Sequence, residues 1–97
     1  MTLPLRWTER AVAHLEALVD YISITSPMYA EGVVGRIDAR LRHVRAHPEI
    51  GKRVPEASPL NVREVIVPPY RVLYRHHANT IEVLAIVHER RLLAHAL

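Results

Sequence analysis

Cationic side chains recur through the last third of the chain, within and just after three short apolar runs. The runs read REVIV, YRVLYRH and TIEVLAIVHERR, and they are separated by Pro68-Pro69 and Ala78-Asn79. Arginine binds carboxylates and phosphates through paired N–H donors, and histidine adds a group that exchanges protons near neutral pH. The region is therefore suited to binding an anionic or polar partner. Its cationic candidates are Arg63, Arg71, Arg75, His88, Arg90 and Arg91.

The composition limits the kinds of chemistry that the chain can carry out. The chain has 97 residues, no cysteine and a formal net charge of +3, which excludes disulfides, thiol catalysis and cysteine-based zinc sites. Residues 1–50 contain equal numbers of arginines and acidic residues, so the positive excess lies in residues 51–97. His43 and His47 have a spacing compatible with a metal, but no third ligand follows at a recognisable spacing. We therefore predict no metal and no cofactor.

Length and hydropathy indicate one soluble domain spanning residues 1–97. The sequence contains no apolar run as long as the eighteen or more residues that a membrane helix needs, and 49% of its residues are hydrophobic. The N-terminal segment TLPLRW lacks the basic and apolar regions of a signal peptide. We expect a cytoplasmic protein with no membrane association.

The first half of the chain predicts a strand and two helices. Leu3, Leu5 and Trp7 alternate with other residues as in a short edge strand, and Thr8 is a typical N-cap for the helix that follows. Ser26-Pro27 marks the start of a second helix, which His47-Pro48 ends. We expect an antiparallel helical hairpin in which Gly32 and Gly35 allow close approach of the first helix.

The second half predicts a connection over residues 47–62 and then a three-stranded antiparallel meander. Within its middle strand, Tyr70, Val72 and Tyr74 point to one face. Arg71, Leu73 and Arg75 point to the other. If the helices cover only the first face, the arginine face is an open, positively charged surface on which His88 and Arg90 also converge. The predicted fold is α+β, with element order β-α-α-β-β-β.

Five segments in this order resemble the ParE/RelE superfamily of bacterial toxin–antitoxin toxins. They are RWTERAVAHLEALVDYI, SPMYAEGVVGRI, HPEIGKRVPE, VREVIVPPYRVLYRH and IEVLAIVHERR, and they cover residues 5–91. The resemblance implies the RelE/ParE-like fold and one of two activities. RelE-like members cut messenger RNA on the ribosome, whereas ParE-like members poison DNA gyrase.

The resemblance carries only part of the ribonuclease pattern. Arg71 and Arg90 match RelE-like catalytic positions, but Glu64 stands where these ribonucleases tend to have lysines, and the tail LLAHAL contains no tyrosine. Cleavage through the 2′-hydroxyl needs a base, an acid and a cation, and arginine supplies only the cation. His95 is the remaining candidate for proton transfer. We therefore favour a gyrase-directed toxin, with a ribosome-dependent endonuclease or a non-toxic family member as the alternatives.

The resemblance also implies two binding surfaces. On charge and placement, we expect the target-binding surface to consist of Arg71, Arg75, His88, Arg90 and Arg91. We expect a cognate, ParD-like antitoxin with a ribbon-helix-helix N-terminus and an acidic C-terminal segment that folds on binding. Its site would be an apolar groove along the hairpin, edged by Arg10, Arg36 and Arg40, and DNA would be contacted through the antitoxin.

Overall fold

A five-stranded sheet covered on one face by two helices forms the fold. The computed structural model describes residues 2–57 and 61–90. Its elements are β1 (Leu5–Trp7), α1 (Glu9–Ser23), α2 (Pro27–Ala46), β2 (Lys52–Arg53), β3 (Arg63–Val67), β4 (Tyr70–His77) and β5 (Thr80–His88). The predicted α+β architecture is confirmed, with β2 as an additional strand that is too short to show a periodicity.

The sheet order is β1-β5-β4-β3-β2. β1 is parallel to β5, and the other neighbours are antiparallel. The predicted meander is β3, β4 and β5, and β1 is the predicted edge strand. Among the described residues, neither helix has the combination of length and apolar character that a membrane crossing requires.

Both helices begin at the predicted capping residues. The hydroxyl of Thr8 accepts a hydrogen bond from the Ala11 amide at 3.1 Å, and that of Ser26 accepts one from the Tyr29 amide at 3.1 Å. Thr8 has a second role, because its hydroxyl donates to the carbonyl oxygen of Val83 in β5 at 3.0 Å. The start of α1 is therefore fixed to the strand beneath it.

The core has two parts, one on each face of the sheet. The helix-side core contains Val33, Ile37 and Leu41 of α2 packed with Val72 and Tyr74 of β4. On the second face, which is the sheet face away from the helices, a smaller cluster is buried. It contains Val54, Ala57, Val62, Leu73, Ala85 and Val87. The connection before β3 therefore covers part of the face that we expected to be open.

A β-bulge in β5 changes which of its residues point to each face of the sheet. Leu73 pairs with Ala85 and Tyr74 pairs with Val83, so Leu84 is an extra residue with no partner in the β4–β5 register. A bulge of this kind shifts the alternation of side chains along the strand. Ile81 and Val83 lie in the helix-side core before the bulge, and Ile86 lies there after it.

Tyr74 joins the connection after α2 to the centre of the sheet. Its hydroxyl donates to the carbonyl oxygen of Pro48 at 2.8 Å and accepts from the amide of buried Gly51 at 2.9 Å. A Cβ atom at Gly51 would lie 2.5 Å from the Tyr74 hydroxyl oxygen, so only glycine fits this turn. Arg63 adds a bond from its guanidinium to the Gly51 carbonyl at 2.8 Å.

The expected role of the two helical glycines is wrong. A Cβ at Gly35 would meet no atom within 4 Å, and one at Gly32 would meet only a terminal nitrogen of Arg36, at 3.5 Å. Neither position therefore brings α1 close to α2. The steric requirement for glycine lies at Gly51, where the side chain of Tyr74 occupies the space.

We predict that Tyr74→Phe lowers the free energy of unfolding by about 1 to 3 kcal/mol, because it leaves the buried Gly51 amide and the Pro48 carbonyl without their partner. Urea denaturation at neutral pH measures this loss. Tyr21→Phe is the matched control, since the Tyr21 side chain is 77% exposed. Equal stabilities of the Tyr74→Phe variant and the parent protein would contradict the proposed role of the hydroxyl.

The same pair of variants has an expected pH dependence. Burial raises the pKa of Tyr74 above its ordinary value of 10.0, and this outweighs the hydrogen bond from Gly51, which lowers it. The folded state therefore favours the neutral phenol, so its contribution is complete below pH 10.0 and is lost as the pH rises above that value. We expect the stability difference between the parent and Tyr74→Phe to shrink on raising the pH through this range.

Candidate functional site

Three charged side chains line up across three strands on the second face. Arg6 of β1 and Arg75 of β4 are the register partners of Glu82 in β5. The Nε of Arg75 donates to Oε1 of Glu82 at 2.6 Å, and a terminal nitrogen of Arg6 contacts its Oε2. The Glu82 side chain is 9% exposed. We call Arg6, Glu82 and Arg75 the cross-strand triad.

Arg71 has an acidic partner of its own. Its Nε donates to Oε2 of Glu64 in β3 at 2.8 Å, and one of its terminal nitrogens contacts the same oxygen. The two side chains are only 18% and 13% exposed. Lys52 of β2 is the register partner of Glu64 on its other side. The pattern of cation, carboxylate and cation thus occurs a second time across three strands.

The arginine face is less open and less positive than predicted. Arg71 and Arg75 do lie on the face away from the helices, but Glu64 and Glu82 offset their charges, and residues 54–57 and 62 cover part of the face. Arginines held by carboxylates in partly buried positions have few donors left for a new anion. The carboxylates reduce the positive charge of the face, although the cations Arg6, Lys52, Arg71 and Arg75 still outnumber Glu64 and Glu82 there.

His88 and Arg90 lie at the end of the sheet and are exposed. The His88 ring contacts the edge of the Tyr70 ring at a centroid distance of 5.9 Å, which places His88 on the helix side and away from Arg71 and Arg75. The amide of Arg90 donates to Nδ1 of His88 at 3.2 Å. We call His88 and Arg90 the sheet-end surface. Arg91 and His95 lie outside the described residues.

Tyr70 links the sheet-end surface to the tip of the helical hairpin. Burial raises its pKa, and the nearby Tyr29 and Tyr21 raise it further. Ile24 and Met28 at this tip are 83% and 81% exposed. Large exposed apolar side chains beside tyrosines are typical of protein-binding surfaces.

The predicted groove along the hairpin exists. It has a volume of about 570 Å³ and is lined by Val19 of α1 and by Ala30, Val34 and Gly35 of α2, with Glu31 and Asp38 at its rim. Arg36 lies over the Tyr29 ring, with its guanidinium carbon 5.8 Å from the ring centroid. Arg40 is half-buried on α2, and Arg10 is exposed on the first turn of α1. The groove is apolar as expected, but its lining carries acidic residues rather than the predicted arginines.

Within residues 2–57 and 61–90, no group of three potential metal ligands is positioned to hold an ion. The rings of His43 and His47 contact each other edge to face at a centroid distance of 5.2 Å. Sequence reasoning missed Arg6 and Glu82 as a pair. The usable signals were an arginine alternating with the apolar residues of β1 and a single acidic residue in the otherwise apolar β5.

Comparisons with known proteins match most of the chain to toxins of toxin–antitoxin systems. A family model described as the ParE toxin of the type II toxin–antitoxin system parDE matches residues 5–93. Toxin RelE2 of Caulobacter vibrioides is 33% identical over 87 residues, which are 89% of this chain and 94% of that protein. The match includes every strand and both helices.

Two kinds of solved structure share the fold. A chain of the chromosomal ParDE toxin–antitoxin system from P. aeruginosa is 26% identical with a TM-score of 0.73, and the match covers 90% of this chain and 96% of that one. The RelBE2 toxin–antitoxin complex of Mycobacterium tuberculosis contains a chain that is 21% identical with a TM-score of 0.62, over 91% of this chain and 99% of that one. The second likeness concerns the fold alone.

We predict that Glu82→Gln lowers the free energy of unfolding by about 1 to 3 kcal/mol. The substitution replaces one carboxylate oxygen with an NH2 group, which is itself a donor and cannot accept a hydrogen bond from the arginines. Chemical denaturation measures the change. Asp38→Asn is the control, since its pair with Arg42, at 3.6 Å, is exposed and such pairs contribute about 0 to 1 kcal/mol. A loss no larger than that of Asp38→Asn would contradict a structural role for the cross-strand triad.

Proposed function

The chain belongs to the ParE toxin family of type II toxin–antitoxin systems, and from that premise we propose that it inhibits DNA gyrase by binding rather than by cutting RNA. The observation that carries the proposal is the pairing of Arg71 with Glu64 on the second face. A ribonuclease needs a cation that is available to a phosphate in the transition state. Here the carboxylate of Glu64 already binds Nε and one terminal nitrogen of Arg71.

Among the described residues, the acid–base group that contacts Arg71 is Glu64, which is held in an ion pair with it. The nearest charged groups on its face are Glu64, Lys52 and the cross-strand triad, and the exposed His88 lies on the helix side. Acid–base catalysis requires the base and the acid within hydrogen-bond reach of the reacting atoms. The arrangement favours docking over chemistry.

The target-binding surface in this proposal is the sheet-end surface together with Arg91, which follows Arg90 in the sequence. Its exposed cations suit phosphates or acidic side chains of a protein–DNA complex. Arg71 and Arg75, which belong to the same predicted surface, lie on the second face instead and are paired with Glu64 and Glu82. The alternative is a ribosome-dependent mRNA endonuclease, favoured by the identity to Toxin RelE2 and by the match of Arg71 and Arg90 to that pattern. A third possibility is a non-toxic member that only binds its antitoxin.

The partner that neutralises the chain is, in this proposal, a ParD-like antitoxin bound along the helical layer. The similarity to a chain of a ParDE system supports an antitoxin partner. The apolar hairpin groove and the exposed Ile24 and Met28 offer a surface for an amphipathic segment. Arg36 and Arg40 provide positive charge for acidic residues of that segment, whereas Glu31 and Asp38 disfavour acidic residues where the segment lies in the groove.

We predict that the purified protein, with gyrase, ATP and supercoiled plasmid, produces linear DNA after detergent and protease treatment. The double variant His88→Ala/Arg90→Ala should lower the yield about tenfold, as expected for the loss of about 1.4 kcal/mol of binding. His77→Ala/Arg42→Ala is the matched control, because it removes the same side-chain types from exposed positions elsewhere. Absence of linear DNA together with unaffected supercoiling would contradict the proposal.

We also predict that Val34→Asp weakens binding of the antitoxin encoded beside this gene. Val34 lines the hairpin groove and is 37% exposed, so the new carboxylate should remain solvated in the free protein and lose its water only in the complex. Titration calorimetry should give a dissociation constant raised by about tenfold or more. Ile50→Asp, at a 41% exposed position away from the groove, is the control, and equal effects of the two substitutions would argue against the groove.

A further inference from the structure

The pair of Glu64 and Arg71 has a geometry that bears on which ligands the second face accepts. Glu64 lies opposite Leu73, and Arg71 lies opposite Ile66, so the two side chains meet diagonally across β3 and β4. Two nitrogens of Arg71 converge on one oxygen of Glu64. These nitrogens, Nε and one terminal nitrogen, form the edge by which a guanidinium grips a carboxylate or a phosphate.

Two cations flank Glu64 from neighbouring strands. Arg71 approaches from β4, and Lys52 is the register partner of Glu64 in β2. Lys52 is exposed, whereas the Arg71 side chain is 18% exposed. The carboxylate of Glu64 therefore lies between the strand that carries Arg71 and the strand that carries Lys52.

We propose that Glu64 is a specificity-determining residue that keeps the second face from binding the phosphates of nucleic acid. With a neutral side chain at position 64, Lys52 and Arg71 become a two-cation phosphate site on the same sheet. The inference rests on the proposed function in one respect, since the role of Glu64 explains why a chain with this fold would act without binding RNA. Its physical content, the occupied donors of Arg71, does not depend on gyrase.

A purely structural ion pair would behave differently when Glu64 is changed. If the pair only stabilised the fold, Glu64→Gln would lower stability. It would then strengthen nucleic-acid binding no more than the same change in charge does at another position. If Glu64 competes with phosphate, its neutralisation releases donors that are already held in place by the strands. The gain should then depend on Arg71.

The test measures binding of a fluorescent single-stranded uridine oligonucleotide by anisotropy at two salt concentrations. Glu64→Gln should bind about tenfold more tightly at low salt, and its salt dependence should steepen by about 0.7 for each additional phosphate that is neutralised. Glu64→Gln/Arg71→Ala should lose the gain. Glu16→Gln is the matched control, because it makes the same change in net charge on an exposed position of α1, which lies on the other side of the sheet.

Equal affinities of the Glu64→Gln and Glu16→Gln variants would overturn the proposal, as would a gain that persists without Arg71. If Glu64→Gln does not fold, as judged by circular dichroism, a titration of the parent protein with inorganic phosphate decides the matter. The ¹⁵N resonance of Arg90 Nε should then move and that of Arg71 Nε should not, whereas movement of both would overturn the proposal. None of these results depends on gyrase, so failure of the gyrase assay can be told apart from failure of this inference.

Discussion

The hydroxyl of Tyr74 is the interaction on which the arrangement of the two layers depends. It lies at the centre of the sheet and is bonded to Pro48 and Gly51, the residues that turn the chain from α2 toward β2. Because a tyrosine hydroxyl both donates and accepts, one buried group satisfies a carbonyl and an amide that the turn would otherwise leave unpaired. The position of β2, and with it that of Lys52 beside Glu64, follows from this anchor.

Charge compensation is the second constraint. Each arginine in the middle of β4 has a carboxylate on a neighbouring strand, with Glu64 for Arg71 and Glu82 for Arg75. Such pairs hold side chains in fixed positions but leave little electrostatic field for a ligand. The exposed positive groups at the end of β5 and the apolar hairpin tip lie elsewhere. Tyr70 joins these two exposed regions, since it contacts His88 and lines a pocket together with Tyr29 and Ile24.

The sequence predicted the elements well and the site only in part, for identifiable reasons. Thr8, Ser26 and Pro27 act locally, so the helix starts could be read directly. The ion pairs depend on strand register, and that of Arg75 with Glu82 depends also on the bulge at Leu84, which no local pattern reveals. Gly51 is required by a side chain 23 residues away, whereas Gly32 and Gly35 offered a plausible but incorrect packing role. A basic sequence motif indicates where cations lie along the chain, but not which acidic residues face them.

The central claim is that this fold acts by docking on gyrase. The most direct test expresses the toxin without its antitoxin and soon afterwards maps DNA ends and messenger RNA ends in the same cells. The account predicts DNA breaks at gyrase cleavage sites, with the messenger RNA ends unchanged from those of cells that carry an empty vector. Codon-linked cuts in messenger RNA without DNA breaks would contradict it.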